Sequence, residues 1–362
     1  ELSGLDVLEI GAGCGAITRY LGESGANVLA LEGTSRRASI ARSRTRNLAN
    51  VTVVAETFAN LKLDKKYDVI TLIGVLEYAN MFMPGDTPAV AMLARCREML
   101  KPDGRLIIAI ENRFGLKYFS GAPEDHIGTR MYGIEGRYKK NEPETYGRKA
   151  LEKLILDGGF KSVEFMAPFP DYKFPYSIVT ESGFNAPDFD PSAFAWQSAR
   201  RDPQWNGYTY LPMELAWPGL FQNGMAQDLA NSFLIVSSLS ESQTIGKTLA
   251  YHYSTERIPD FCKETLFFRD SHGAIKVRCE RLEKGEQKVG DDKIVYELEV
   301  DADYALGTPL SLDFINIVTK DGWQISEVVS FFRSYTDVLE SICQKRGIRP
   351  ERNEYTGEVV YP

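Results

Sequence analysis

The residues best able to do chemistry open the chain. Glu9-Ile-Gly11-Ala-Gly13-Cys-Gly15 stands between an apolar run, Asp6 to Ile10, and a helical stretch starting at Ala16. Glycines at such a junction let backbone approach a ligand closely, and a helix N-terminus favours electron-rich groups. Gly11-x-Gly13-x-x-Ala16 also satisfies the loose dinucleotide fingerprint. Glu9 discriminates between ligands: its carboxylate repels a pyrophosphate and attracts a cationic sulfonium-amino acid. The competing reading makes Glu9 a strand-end residue that caps a nearby helix. Glu32 ends the second apolar run, where a carboxylate accepts both hydroxyls of a ribose. It serves NAD and S-adenosylmethionine equally, so an NAD enzyme stays open on Glu32 alone.

A second set follows the fifth apolar run: Glu111 to Tyr118, Gly121 to His126 and Gly133 to Gly136. His126 is the only histidine in the first 250 residues. An imidazole titrates near neutrality, which makes it the leading general-base candidate. Asp125, Glu124 and Glu77 are alternatives. Arg113, Lys117, Arg130 and Arg137 suit a phosphate or acidic sugar. Trp196, Trp205, Tyr208, Tyr210 and Trp217 offer faces for sugar rings, or simply pack an insertion. Arg36, Arg37, Arg42, Arg44 and Arg46 crowd one helix, facing a nucleic acid, an anionic membrane or only water.

Strands and helices must position these groups. Strands are expected at 6–10, 27–31, 51–54, 67–76 and 105–110, with helices between them. Strands apolar on both faces and alternating with helices mean a doubly wound α/β sheet, which binds ligands at the carboxyl ends of its strands. Lys101-Pro-Asp-Gly104 reads as a turn before the fifth strand. Eight of the 17 prolines and three of the four tryptophans lie between 161 and 225, which marks an aromatic-rich insertion poor in regular structure. Later runs at 265–268, 274–277 and 294–300 read as antiparallel strands, and 325–345 as an amphipathic helix. The expected layout is a core of residues 1–167 and 231–245, an inserted cap at 168–230, and a smaller accessory α+β domain at 246–362. At about 150 residues per domain, 362 residues allow two to three.

The 42 basic and 50 acidic residues give a net charge of −8, which makes nucleic acid an unlikely partner for the chain as a whole. Five scattered cysteines without CxxC pairs fit a reducing compartment, and with three histidines no metal site is expected. No apolar run is long enough to span a membrane. Ala274-Ile-Lys276 is faintly similar to the lysine strand of kinases, without the other kinase motifs.

Val7 to Gly15, Leu31-Glu-Gly33, Tyr67 to Tyr78 and Lys101-Pro-Asp-Gly104 together resemble the successive motifs of class I S-adenosylmethionine-dependent methyltransferases. The resemblance covers residues 5–167 and 231–238. It implies a Rossmann-like sheet of seven strands, the last antiparallel, with S-adenosylmethionine as cofactor. It also implies that Glu9, Gly11, Gly13 and Gly15 surround the methionine part and that Glu32 and Gly33 hold the ribose. Glu56 would stand near the adenine amine, with Thr57 or Phe58 over the ring. Ile73, Gly74, Val75 and Leu76 would lie along the cofactor, and Glu77 would face the methyl-transfer site. Tyr20 is a further candidate for the cofactor carboxylate.

Gly74-Val-Leu-Glu-Tyr78 lacks the Asn/Asp-Pro-Pro-Tyr stretch of base N-methyltransferases. The segment after Glu111 is similar to methyltransferases of bacterial surface-polysaccharide (O-antigen type) assembly. That likeness implies O-methylation of a sugar or phosphosugar, with His126, Glu77 or Asp125 assisting deprotonation and Arg113, Lys117, Arg137 and Trp205 binding the acceptor. It also implies a fused or associated glycosyltransferase or kinase-like domain, in the cytoplasm or at the inner face of the membrane. The alternatives are an RNA methyltransferase using the arginine-rich helix and an inactive scaffold of the same fold. Methyltransferases of this class usually carry a helix before strand one, so the 362 residues are expected to be an excised module.

Overall fold

The computed structural model describes residues 2–202, 209–241, 246–257, 259–282, 302–347, 349–352 and 359–360. Trp205 and Tyr208, and the strand expected at 294–300, lie outside the described residues. The chain divides into a unit of residues 1–304 and a unit of residues 305–362.

The first unit is built on a parallel block. Strands β1 (Asp6–Ile10), β2 (Asn27–Glu32), β3 (Val51–Ala55), β4 (Tyr67–Ile73) and β5 (Leu100–Glu111) pair in the order β3-β2-β1-β4-β5. The apolar residues of β1, β2, β4 and β5 are mostly buried on both faces, since helices such as Ala16–Glu23 and Pro88–Met99 cover the sheet, whereas in edge strand β3 only Val51 is buried. Beyond β5, strand β8 (Ser232–Ser238) runs antiparallel between β5 and β6 (Ser162–Phe169). The antiparallel strand expected near 232 is therefore present.

The sheet does not stop at seven strands; among the described residues it has twelve. Beyond β6 follow β7 (Ser177–Thr180), β9 (Thr248–Ser254), β10 (Lys263–Arg269), β11 (Ile275–Arg281) and β12 (Ala302–Asp303), all antiparallel. The strands assigned to an accessory domain after 246 thus extend the main sheet. The bridge between them is β7, a four-residue strand inside the segment read as an irregular cap.

That segment also holds helices Glu181–Asn185, Ser192–Ser198, Met213–Gln222 and Ala226–Leu229. Each is too short to be stable alone, so packing holds it. Phe169 meets Trp217 edge-on at 5.4 Å, and Phe184 stacks on Phe221 at 5.5 Å. Lys101-Pro-Asp-Gly104 is not a free turn but an irregular start of β5, where the register with β4 shifts.

In the second unit, helices Leu310–Thr319 and Ile325–Arg346 pack through Phe314, 5.5 Å from the rings of both Phe331 and Phe332. Gln324 and Glu327 form a capping box at the start of the longer helix, and Gly347, at φ 67°, ends it. Among the described residues no helix is long and apolar enough to cross a membrane.

Candidate functional site

The carboxyl ends of β1, β2 and β4 open into a cleft of about 360 Å³, lined among others by Gly11, Gly13, Glu32, Gly33, Glu56, Thr57, Phe58, Gly74 and Val75. Its size suits a nucleoside-sized ligand. Gly11 has φ +81°, and a Cβ there would lie 2.4 Å from Val75 Cγ2. Gly15, at φ +77°, has no room for a Cβ against the backbone of Ala41. The glycines thus set the loop's path and its closeness to the neighbouring helix.

Glu32 is the organising anion of the cleft. It is 2% exposed; its Oε2 accepts from Gly13 N at 2.9 Å and its Oε1 from Thr34 N at 3.0 Å. Arg37 Nε donates to the same Oε1 at 2.9 Å. Arg37, read as part of an arginine-rich face, is therefore one wall of the cleft; the other arginines of that run, Arg36, Arg42, Arg44 and Arg46, are exposed. Glu56 Oε1 accepts from Thr57 N at 2.7 Å, and these bonds hold its carboxyl below the usual range.

Glu9 sits one step behind this surface. It does not line the cleft; Thr18 Oγ1 donates to its Oε2 at 2.5 Å. The strand end is thereby tied to the first helix. Burial, only partly offset by that bond, pushes the Glu9 carboxyl up to about 7. Tyr20 is 64% exposed.

Next to the cleft lies a buried ionic cluster. Glu77 follows β4, Glu111 ends β5, and His126 comes from the loop beyond; the two acids are each 1% exposed. Gly74 joins the two regions: a Cβ on it would lie 2.8 Å from Tyr172 Oη and 3.6 Å from Glu77 Oε1. Tyr78, a cleft residue, packs edge-on against the His126 ring at 5.4 Å. His126 Nε2 faces Glu77 Oε1 at 3.7 Å and its Nδ1 meets Glu124 Oε1 at 3.1 Å. Burial acts to lower the His126 pKa, but Glu124, Glu77 and Glu111 outweigh it and raise it to about 10. The surrounding carboxylates thus favour the protonated ring when nothing else is bound beside them. His126 and the acid Glu77, both expected as proton acceptors, thus stand side by side. Burial raises the Glu77 carboxyl above its ordinary value.

Asp125 is tied to neighbouring cations and a tyrosine. Burial alone would raise its carboxyl, but Lys117 and Lys173 hold it below the usual range, and Tyr118 Oη donates to it. Lys117, expected to meet an acceptor's phosphate, is 2% exposed and sits among Asp125 at 3.1 Å, Asp171 at 3.5 Å and Asp202 at 3.8 Å. Arg113 is likewise engaged, with Glu144 at 2.6 Å and the carbonyl of Thr145 at 2.8 Å. Arg137 remains at the surface, paired with Glu135. Trp196 and Trp217 are buried and present no sugar-stacking face, whereas Tyr210 is exposed. Glu111, Lys173 and Tyr172 were not singled out from the sequence. Glu111 was discoverable, since it ends a central parallel strand where such sheets bind ligands.

A profile of the family described as "Methyltransferase domain" matches residues 8–106. The demethylmenaquinone methyltransferase of Tropheryma whipplei (strain Twist) is 32% identical over 107 residues, 29% of this chain and 41% of the relative. The ubiquinone biosynthesis O-methyltransferase of Rickettsia bellii (strain OSU 85-389) is 28% identical over 122 residues, 33% of this chain and 48% of the relative. The chain thus spans less than half the length of these curated relatives. Among solved structures, an S-adenosylmethionine-dependent methyltransferase from Mesorhizobium loti aligns with TM-score 0.39 at 16% identity, covering 66% of this chain and 92% of that one. The N-methyltransferase NodS of Bradyrhizobium japonicum WM9, solved with S-adenosylhomocysteine, aligns with TM-score 0.34 at 16% identity over 46% of this chain and 70% of that one. Residues 8–106 thus match a methyltransferase domain.

Proposed function

We propose that this chain is a methyltransferase that moves the methyl group of S-adenosylmethionine onto an acceptor hydroxyl held between Gly74 and the Glu77–Glu111–His126 cluster. One observation carries the reading: the glycine-lined cleft with Glu32 at its floor and the buried acidic cluster share Gly74 as a wall. Glu32 would accept from the ribose hydroxyls in place of Arg37 and Thr34. Glu56 and Phe58 would meet the adenine, and Gly11, Gly13 and Gly15 the methionine part. Glu9, tied to Thr18, would act on the cationic end through its charge rather than by contact.

In the transfer, the acceptor O–H gives its proton to a carboxylate, for which Glu77 is best placed. The acceptor oxygen then attacks the methyl carbon as the S–C bond breaks. An O–CH3 bond forms and neutral S-adenosylhomocysteine leaves. The sulfonium is already a good electrophile, so alignment supplies much of the acceleration.

The acceptor we favour is a sugar of a bacterial surface glycan, from the resemblance of the segment after Glu111. The exposed Tyr210, to whose hydroxyl Arg130 donates at 3.2 Å, supports a polar ring as acceptor. The internal pairing of Lys117 and Arg113 turns the reading from a phosphosugar toward a neutral sugar hydroxyl. The relatives are named for demethylmenaquinone and ubiquinone biosynthesis, so a phenolic hydroxyl is the competing acceptor. The test is release of S-adenosylhomocysteine with sugar and phenolic acceptors side by side. The reading expects turnover with a sugar and its loss in Glu77→Gln; turnover with phenols alone refutes the glycan assignment. Calorimetry without S-adenosylmethionine binding refutes the whole proposal and leaves a scaffold of the same fold.

A further inference from the structure

We infer that Glu77, Glu111 and His126 form a binding site for a divalent cation of the manganese or magnesium type. One carboxylate oxygen of each acid and one ring nitrogen of the histidine lie within 4.8 Å of one another. The residues come from the turn after β4, the end of β5 and the following loop, so no local spacing announces them. That is why three histidines and unpaired cysteines led to an expectation of no metal.

Acidic grouping alone would not make a site. Here Glu77 Oε2 and Glu111 Oε2 are both buried and have no hydrogen-bond partner. Buried polar atoms are nearly always partnered, and two orphaned oxygens in one cluster point to an absent cation. Lys173 Nζ donates to Oε1 of Glu111, which leaves Oε2 for another ligand.

The histidine is oriented as a ligand would be. His126 Nδ1 meets Glu124 Oε1 at 3.1 Å while Nε2 faces Glu77. Glu124 is itself fixed, because its Oε2 accepts from His126 N at 2.8 Å and Ile127 N at 2.6 Å. A carboxylate behind a ligating imidazole is the usual arrangement for setting its ring and tautomer.

Charge points the same way. Glu77, Glu111, Glu124, Asp125, Asp171 and Asp202 are joined through ion pairs and coulombic contact to Lys117, Lys173 and His126. Six carboxylates thus face two lysines and one histidine in a buried volume. Two carboxylate oxygens and one imidazole nitrogen favour a hard to borderline ion with positions left for other ligands. Resting on the proposed methyl transfer, one open position would take the acceptor hydroxyl, whose acidity a bound ion raises.

The test is Mn2+ titrated into the chelator-stripped full chain, followed by electron paramagnetic resonance of the free ion, with Mg2+ and Zn2+ as competitors. The inference expects one Mn2+ per chain, and affinity falling at least ~10-fold in Glu77→Gln, Glu111→Gln and Glu124→Gln. The surface variant Glu135→Gln should bind as wild type. S-adenosylmethionine binding, measured on each variant, reports an intact fold. Wild type that binds S-adenosylmethionine but no Mn2+ overturns the inference while the methyl-transfer reading stands. Mn2+ binding without S-adenosylmethionine binding does the reverse. Equal Mn2+ affinity in folded Glu77→Gln, Glu111→Gln and wild type overturns the site.

Discussion

At the scale of single residues, Glu32 and Glu9 make different predictions. Glu32 receives Thr34 N–H and Arg37, and it would receive ribose hydroxyls in their place when the cofactor binds. Hydrogen bonds to a charged group contribute about 1.5–3 kcal/mol each, so Glu32→Ala should weaken S-adenosylmethionine binding roughly 10- to 150-fold by calorimetry. Glu9 makes binding depend on pH. Its folded-state pKa, about 7, lies above the ordinary 4.5, so below pH 7 the protein holds a proton that the unfolded chain has released. Its contribution to stability therefore declines as pH rises between those values. A cationic cofactor favours the ionised form, so affinity should rise with pH up to about 7 and then level off. Binding at pH 6 should release a proton, seen as a buffer-dependent heat. Glu9→Gln should flatten this curve, and an unchanged curve would exclude coupling of Glu9 to the cofactor. The places of these two acids were legible because each stands at the end of an apolar run that forms a strand. The pairing of Lys117 with Asp125, Asp171 and Asp202 was not, because a sequence shows a charge but not the partner that folding brings to it.

At the scale of elements, the parallel strands were readable because burial on both faces leaves continuous apolar runs. The insertion was not, because its helices of four to ten residues owe their form to contacts distant in sequence. Helix Met213–Gln222 even contains Pro218 and still forms. What holds it is Trp217, 1% exposed, packed against Phe169 of β6. Trp217→Ala should therefore cost about 3–5 kcal/mol in urea unfolding. Had Trp217 been a sugar platform, the same substitution would reduce acceptor affinity and leave stability nearly unchanged. β7 was missed for a related reason. Four residues, Ser177–Thr180, are too few to show a periodicity, yet they join β6 to β9 and so decide where the sheet ends.

At the scale of the whole molecule, that join relocates the boundary read at residue 246. The motif-bearing block would be complete by β8, and a chain ending at 245 would keep every residue assigned to the cofactor. It would also strip β9 from β7, exposing the ladder at Ser177, Ile178 and Val179. Val179 and Ala250 are fully buried, and Phe189 and Phe194 pack on Phe267 of β10 at 5.6 and 5.2 Å. An uncovered apolar edge strand is a template for aggregation. A chain ending at Tyr304 retains all twelve strands seen among the described residues, because β12 closes at Asp303. The prediction is a paired one. The chain cut after Tyr304 should stay monodisperse in size-exclusion chromatography and bind S-adenosylmethionine within about threefold of the full chain. The chain cut after residue 245 should aggregate or unfold at a markedly lower temperature. If the shorter piece is as stable as the longer, the late strands are an appendage and the boundary at 246 is the right one. If the longer piece loses S-adenosylmethionine, the unit of residues 305–362 has a part in binding.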